Sequence, residues 1–195
     1  MNGLTLENEK VYLRLLSVSD IPLLYPISSI EDHWQHSITT AFGDQEVLNT
    51  YIAEALSQHQ NKQSIPFVVI DNLSGEVAGS TRLYKINRPN KSCAIGYTWY
   101  AKKFQGTHIN KNCKYLLLQY AFEMMEMERV EFEADKDNHR SVNAIRSIGA
   151  THEGTLRNNI LMHNGKRRNT AILSVLKEEW LSHVKNNLQQ KINIL

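Results

Sequence analysis

The chain has 195 residues, with Lys+Arg 22 against Asp+Glu 20 and a formal net charge of +2. That length holds one domain with a full core or barely two small ones, and 42% hydrophobic content excludes bulk disorder. The near balance of charge argues against a nucleic-acid or membrane-surface binder, so an anion site must come from a local cluster.

Cys93 and Cys113 show no C-x-x-C spacing, so neither a zinc site nor a disulfide framework is expected. No apolar run approaches the roughly 18 residues that span a bilayer; residues 65–70 are broken by Pro66. The opening MNGLTLENEK has no basic stretch leading into an apolar one. No signal peptide is expected, and the expected compartment is the cytoplasm.

Residues 10–16 alternate, with Val11, Leu13 and Leu15 to one side, and read as a first strand. Residues 20–30 read as a short helix with Pro22 in its first turn. Residues 44–60 form a second helix, with Val47, Tyr51, Ala55 and Leu56 along one face. Extended segments follow at 66–71, 76–84 and 93–100, joined by turn residues at 72–75 and 87–90. Connections that short make an antiparallel meander.

Ile109, Cys113, Leu116, Leu117, Tyr120, Ala121 and Met124 then recur at helical spacing for about four turns. Residues 129–135 alternate Val130, Phe132 and Ala134 against Glu131, Glu133 and Asp135. Strand, long helix, strand favours a parallel pair. Asn138 suits the N-cap of a further helix faced by Val142, Ile145 and Ile148, and Gly149 suits its end. Residues 151–162 and 168–176 pair around the turn Asn164-Gly165. A polar helix with a frayed end closes the chain from Lys177. The sum is an α+β fold with one mixed sheet of about seven strands, helices on both faces and a single domain over residues 1–195.

Chemistry concentrates in Trp99-Tyr100-Ala101-Lys102-Lys103-Phe104-Gln105-Gly106-Thr107-His108-Ile109-Asn110, between a strand and the long helix. First-turn N–H groups lack intrahelical partners and the macrodipole adds positive charge, so a phosphate can dock there. Lys102, Lys103, Lys111 and Lys114 surround the turn; a solvated lysine face is the competing explanation.

Gln105-Gly106-Thr107-His108-Ile109-Asn110 resembles the pyrophosphate loop Q/R-x-x-G-x-G/A of the GNAT acyltransferases. His108 and Asn110 replace the two small residues; both types tolerate positive φ, and Asn110 could cap the helix. Other stretches are similar to the RimJ/RimL-like branch, in the same order. They are Val11, Leu13, Arg14 and Asp20; Ala94-Ile95-Gly96-Tyr97; Asp137-Asn138-His139-Arg140-Ser141; Ile148-Gly149; Glu153-Gly154-Thr155-Leu156-Arg157; and Glu178-Glu179-Trp180. Ala150 stands where the branch has Phe, and Ala94 where many relatives place a Glu.

The resemblance implies a GNAT-type sheet with a V-shaped splay between the fourth and fifth strands, and acetyl-CoA lying in it. It implies that the N–H groups of Trp99, Tyr100 and Ala101 bind the pantetheine arm, and that residues Gln105, Gly106, Thr107, His108, Ile109 and Asn110 hold the diphosphate. Ser141 would protonate the departing thiolate, directly or through water, and Asn138 would bond the pantetheine or hold its turn. With Ala94 at the usual base position, Glu131 or Glu133 would substitute, unless both are solvated. Trp34 would line the acceptor pocket or serve as a core aromatic. His108, His139 and His152 are further titratable candidates.

The implied activity is acetyl transfer from acetyl-CoA to an amine, either a protein N-terminus or a small molecule. Attack is direct, in a ternary complex, because no nucleophile motif is present. The alternative is a CoA-binding protein without turnover; a third class is a phosphate or nucleic-acid module built on the lysines. No metal, membrane or nucleic-acid partner is expected, and homodimerisation is left open.

Overall fold

The computed structural model describes residues 3–193. β1 (Thr5–Glu7) pairs with β2 (Val11–Leu15), where Val11 and Leu13 are fully buried. α1 (Ile21–Ser28) begins beside Asp20, whose carboxylate accepts both terminal nitrogens of Arg14 at 2.9 and 2.6 Å. α2 (Gln45–Gln60) is capped by Asp44, which accepts from the amides of Glu46 and Val47. Its buried face is Leu48, Tyr51, Ile52 and Ala55, so Leu48 and Ile52 take the places expected for Val47 and Leu56. β3 (Ile65–Asp71), β4 (Val77–Asn87) and β5 (Ser92–Tyr100) form the antiparallel meander that short turns require.

α3 (His108–Gln119) runs through a π-helical turn at Tyr120–Met124 to β6 (Arg129–Asp135), which lies parallel to β5. α4 (His139–Ser147) precedes the hairpin of β7 (Thr151–Leu161) and β8 (Arg167–Leu176). α5 (Lys177–Glu179), a π-helical turn at Trp180–Val184 and α6 (Lys185–Asn193) follow. Among the described residues the sheet has eight strands in the order β1-β2-β3-β4-β5-β6-β8-β7. The strand beyond the expected seven is β1, whose one apolar residue, Leu6, gives the sequence no alternation to read.

Two cores flank the sheet. Phe67 and Val69 of β3 face α3 and Trp180, while Val68 between them faces α1 and α2. The C-terminal helix is packed as far as Asn193, and the last two residues of the end expected to fray lie outside the described residues. Trp180, Val184, Leu188 and Ile192 recur every fourth residue and are buried. Trp180 stacks near Tyr115 and Phe122, and its indole N–H donates to Glu123 at 2.9 Å.

β5 bends in its middle. Gly96 pairs with Arg82 and Trp99 with Ser80, so Tyr97 and Thr98 together oppose Thr81 in a β-bulge. Tyr97 sits at φ +50°, rare for a bulky side chain. Such strain costs about 1–3 kcal/mol. The buried Arg82 guanidinium grips the turn, lying 4.4 Å from the ring centroids of both Tyr51 and Tyr97. A desolvated cation–π contact is worth about 2 kcal/mol or more.

β5 and β6 pair only at Ser92–Arg129, Cys93–Val130 and Ala94–Glu131. Beyond that, β5 stays with β4 to Tyr100 and β6 with β8 to Asp135. The sheet therefore opens into a V between β5 and β6, the pair expected as fourth and fifth before β1 is counted.

Candidate functional site

The loop after β5 builds one end of the opening. Gly106 takes φ +78°, and a Cβ there would meet nothing within 4 Å, so its outer side is open. Thr107 caps α3: its hydroxyl donates to Phe104 O at 2.8 Å and accepts from the Ile109 amide. Left-handed backbone thus falls on Gly106, while His108 and Asn110 are helical. Neither needs positive φ, and Asn110 is not the cap. The first-turn amides of α3 have no intrahelical acceptors, as at any helix start.

The predicted loop residues divide. Gln105, Gly106 and Asn110 border a cavity of about 300 Å³. His108 turns away to Asp71, with Nε2 2.9 Å from Oδ1, and Ile109 is core. Gln105 donates to Tyr100 O at 3.0 Å and accepts from Arg140 of α4 at 2.7 Å. Arg140 therefore brings a cation to the loop from another helix; in the sequence only its place in Asp137-Asn138-His139-Arg140-Ser141 marks it. The lysine cluster disperses instead: Lys103 pairs with Glu76, and Lys114 is buried.

The cavity continues between β5 and β6. Trp99, Tyr100, Phe132, Glu133, Asn138 and Ser141 border it. The Ala101 N–H donates to Ala78 O at 2.8 Å, so it faces β4. Antiparallel bonding alternates, which turns the Trp99 amide to β4 as well. Tyr100 points the other way, its carbonyl reaching Gln105. Of the three amides expected on the pantetheine arm, only that of Tyr100 is directed to the open edge. Asn138 caps α4 by accepting from the Ser141 amide at 3.0 Å. Ser141 thus lies in the first turn of α4, at the cavity wall.

The far end is made of side chains. Trp34 is both core and wall: it is buried, packs on Tyr51 and Trp99, donates to Ser28 O at 2.8 Å and borders the cavity. Glu133 borders it too, accepting from Lys85 at 2.6 Å and from the Tyr84 hydroxyl at 3.3 Å. Burial and the Glu133 charge hold the Tyr84 phenol well above its usual value. Glu131 is absent from the wall; it lies where β5 and β6 are still paired and bonds Arg129 at 3.0 Å.

His139 and His152 are exposed and, like His108, stand outside the cavity. His33 and His36 border it instead. His36 Nδ1 is 2.9 Å from Asp135, and Arg168 donates to the His36 carbonyl at 3.2 Å. Proximity to Trp34 was their only sequence signal. Burial pushes the thiols of Cys93 and Cys113 up to about 12, so neither supplies a thiolate at neutral pH. Among the described residues, no helix is long and apolar enough to cross a membrane.

Residues 10–151 match the family model described as Acetyltransferase (GNAT) domain. YdaF of Bacillus subtilis (strain 168), which carries the provisional name of a ribosomal N-acetyltransferase, is 34% identical over 106 residues. That match spans 54% of this chain and only 57% of YdaF. Spermidine N(1)-acetyltransferase of Escherichia coli (strain K12) is 22% identical over 178 residues, 90% of each chain. A GCN5-related N-acetyltransferase from Brucella melitensis superposes with a TM-score of 0.88 at 26% identity, over 98% of this chain and 86% of that one. Mycobacterium smegmatis RimJ, solved with CoA-disulfide, shares the fold at a TM-score of 0.81 and 18% identity, over 93% of this chain and 88% of its own. A family model spanning most of the chain, on a sheet that opens between its two parallel strands, means that the chain belongs to the GNAT acetyltransferase family.

Proposed function

We propose that residues 1–195 act as one N-acetyltransferase domain of the RimJ/RimL-like kind, moving an acetyl group from acetyl-CoA to a primary amine in a ternary complex. One observation carries this: β5 and β6 part after Ala94, leaving a cavity with the start of α3 at one end and Glu133 at the other. The residues fit the donor. The α3 start, from Gln105 to Asn110, offers backbone amides beside an open Gly106, and Arg140 adds charge for a diphosphate. Tyr100 offers its amide, Trp99 and Asn138 line the arm, and the Ser141 hydroxyl donates toward sulfur, directly or through water. When bound, acetyl-CoA supplies the activated acyl carbon.

The acceptor must lose a proton. Lysine-type amines have pKa about 10.4 and N-terminal amines about 7.7–8.0, so an α-amine asks less of the base. Glu133 is the carboxylate for that proton, reached through water, because it borders the cavity and Glu131 does not. The His36–Asp135 contact supports a second base at the same end. Trp34 forms one wall of the acceptor pocket. The names of the relatives support two acceptor classes, a protein N-terminus and a polyamine. The expected compartment is the cytoplasm.

The test is an acetyl-CoA-dependent screen of N-terminal peptides and small amines, read by mass gain of one acetyl group. Transfer to one class names the acceptor. Retained CoA binding with no transfer to any amine would leave a non-catalytic CoA-binding protein.

A further inference from the structure

Lys114 projects from α3 into the gap between β5 and β6. Its Nζ donates to Thr98 Oγ1 on β5 at 2.9 Å and lies 5.9 Å from the Phe132 ring centroid on β6. It borders the cavity, yet only 5% of the residue is exposed. Thr98 Oγ1 is in turn 2.8 Å from Thr81 Oγ1, so these polar neighbours are uncharged. None of the ion pairs among the described residues includes Lys114.

A buried ammonium without a counter-charge is costly, and one hydroxyl returns little of that cost. Met or Leu would fill the same place without it. The charge therefore answers to an anion that arises in the cleft. The pantetheine arm is neutral, and negative charge develops on sulfur when the thioester breaks.

We propose that Lys114 is the ammonium that stabilises the departing CoA thiolate. This rests on the splay being the thioester site. The amine nitrogen bonds the acyl carbon, and the C–S bond breaks with its electron pair on sulfur. Lys114 holds that thiolate as an ion pair, while Ser141 donates to it from α4. The surplus amine proton passes to Glu133 through water, and sulfur takes a proton from solvent as CoA leaves. Lys114 keeps its own proton throughout.

Of the buried cations near the cavity, Arg168 is held by the Thr170 hydroxyl and the His36 carbonyl, and Arg82 lies over Tyr51 and Tyr97; Lys114 is the one set between Thr98 and Phe132. On α3, the Cys113 thiol is neutral. On β5, burial holds the Tyr100 phenol well above its usual value. On β6, Glu133 is paired with Lys85 and Asp135 with His36; on α4, Arg140 bonds Gln105. Burial lowers Lys114 itself to about 8, so it is mostly charged at neutral pH and loses that charge above.

The test follows the ultraviolet thiolate band of CoA bound to the full chain, across pH, in wild type and Lys114→Met. Wild type should ionise bound CoA about one pH unit or more below free CoA. Lys114→Met should return that ionisation to the free value or above, with CoA still bound by calorimetry. Wild-type kcat/KM for acetyl-CoA should fall above pH about 8, and Lys114→Met should lose that limb with kcat reduced about 10²-fold. The same thiolate titration in both proteins overturns the assignment. Failure of wild type to bind CoA overturns the cleft itself, a separate result. Should Lys114→Met not fold, Lys114→Gln keeps a donor toward Thr98 and repeats the test.

Discussion

β5 behaves as two strands in one. Residues 92–94 have β4 on one side and β6 on the other. From Gly96 to Tyr100 only β4 remains. Apolar content does not explain the change, because Cys93, Ile95, Trp99 and Tyr100 are all buried. The bulge at Tyr97, gripped by Arg82, bends the strand away from its parallel neighbour. Unpaired backbone groups inside a protein cost free energy unless something meets them. The first half is scaffold, and the second leaves peptide groups facing the cavity.

The sharpest way to break this contrast is at Gly79, opposite Tyr100. It has φ +152°, and a Cβ there would lie 2.0 Å from the Trp99 carbonyl oxygen. Backbone cannot step aside as a side-chain tip can. Gly79→Ala should cost about 2–3 kcal/mol in urea unfolding and weaken CoA binding. Gly106→Ala meets open space and pays only for left-handed backbone, about 1–2 kcal/mol. Equal losses at both glycines would mean that the close approach of β4 does not hold the open half.

Asn110→Glu moves the comparison from scaffold to ligand. A carboxylate at the start of α3 opposes a diphosphate and the helix dipole together, so acetyl-CoA affinity should fall about tenfold, less at high salt. Glu131→Gln, in the paired half, should leave affinity unchanged. Calorimetry on both variants decides; an unaltered Asn110→Glu would remove the α3 start from the site.

The paired half was the more legible in sequence. Alternation of Val130, Phe132 and Ala134, after a helix with one apolar stripe, is enough to place β6 beside β5. The bend was hidden because nothing in Gly96-Tyr97-Thr98 announces positive φ at a tyrosine. Which carboxylate reaches the cavity was hidden for the same reason: Glu131 and Glu133 share a face, and only the end of the pairing separates them. The helix after Lys177 reads as polar in sequence, yet it carries a buried stripe. Trp180, Val184, Leu188 and Ile192 form a stripe that the surrounding Lys, Asn and Gln obscure. Lys114 is one turn beyond Asn110, a spacing that sets both on the cavity side of α3.

Variants at Asn138 and Ser141 test whether holding and chemistry separate inside the open half. Asn138→Ala removes the side-chain cap of α4 and should cost about 1 kcal/mol by thermal unfolding. Ser141→Ala leaves that cap intact, since Asn138 accepts from the Ser141 backbone. It should lower turnover more than donor affinity. An unchanged turnover number, with chemistry limiting, would take Ser141 out of the mechanism.

The smallest effect lies at the paired end, and it tests whether the halves are independent. Arg129, opposite Ser92, donates to both oxygens of Glu153 at 2.5 and 2.6 Å. That bond, helped by the Ser174 hydroxyl, holds the Glu153 carboxyl down at about 2 against its ordinary 4.5. A carboxylate depressed in the folded state stabilises fully above its unfolded value and loses that stabilisation as pH falls toward its folded one. The contribution should therefore fade between pH about 4.5 and about 2. Glu153 is 39% exposed, so screening limits it to about 1 kcal/mol at most. Arg129→Gln should flatten the pH dependence of the urea midpoint over that window and leave CoA affinity at neutral pH untouched. A parallel loss of affinity would mean that tension at the closed end sets the width of the open one.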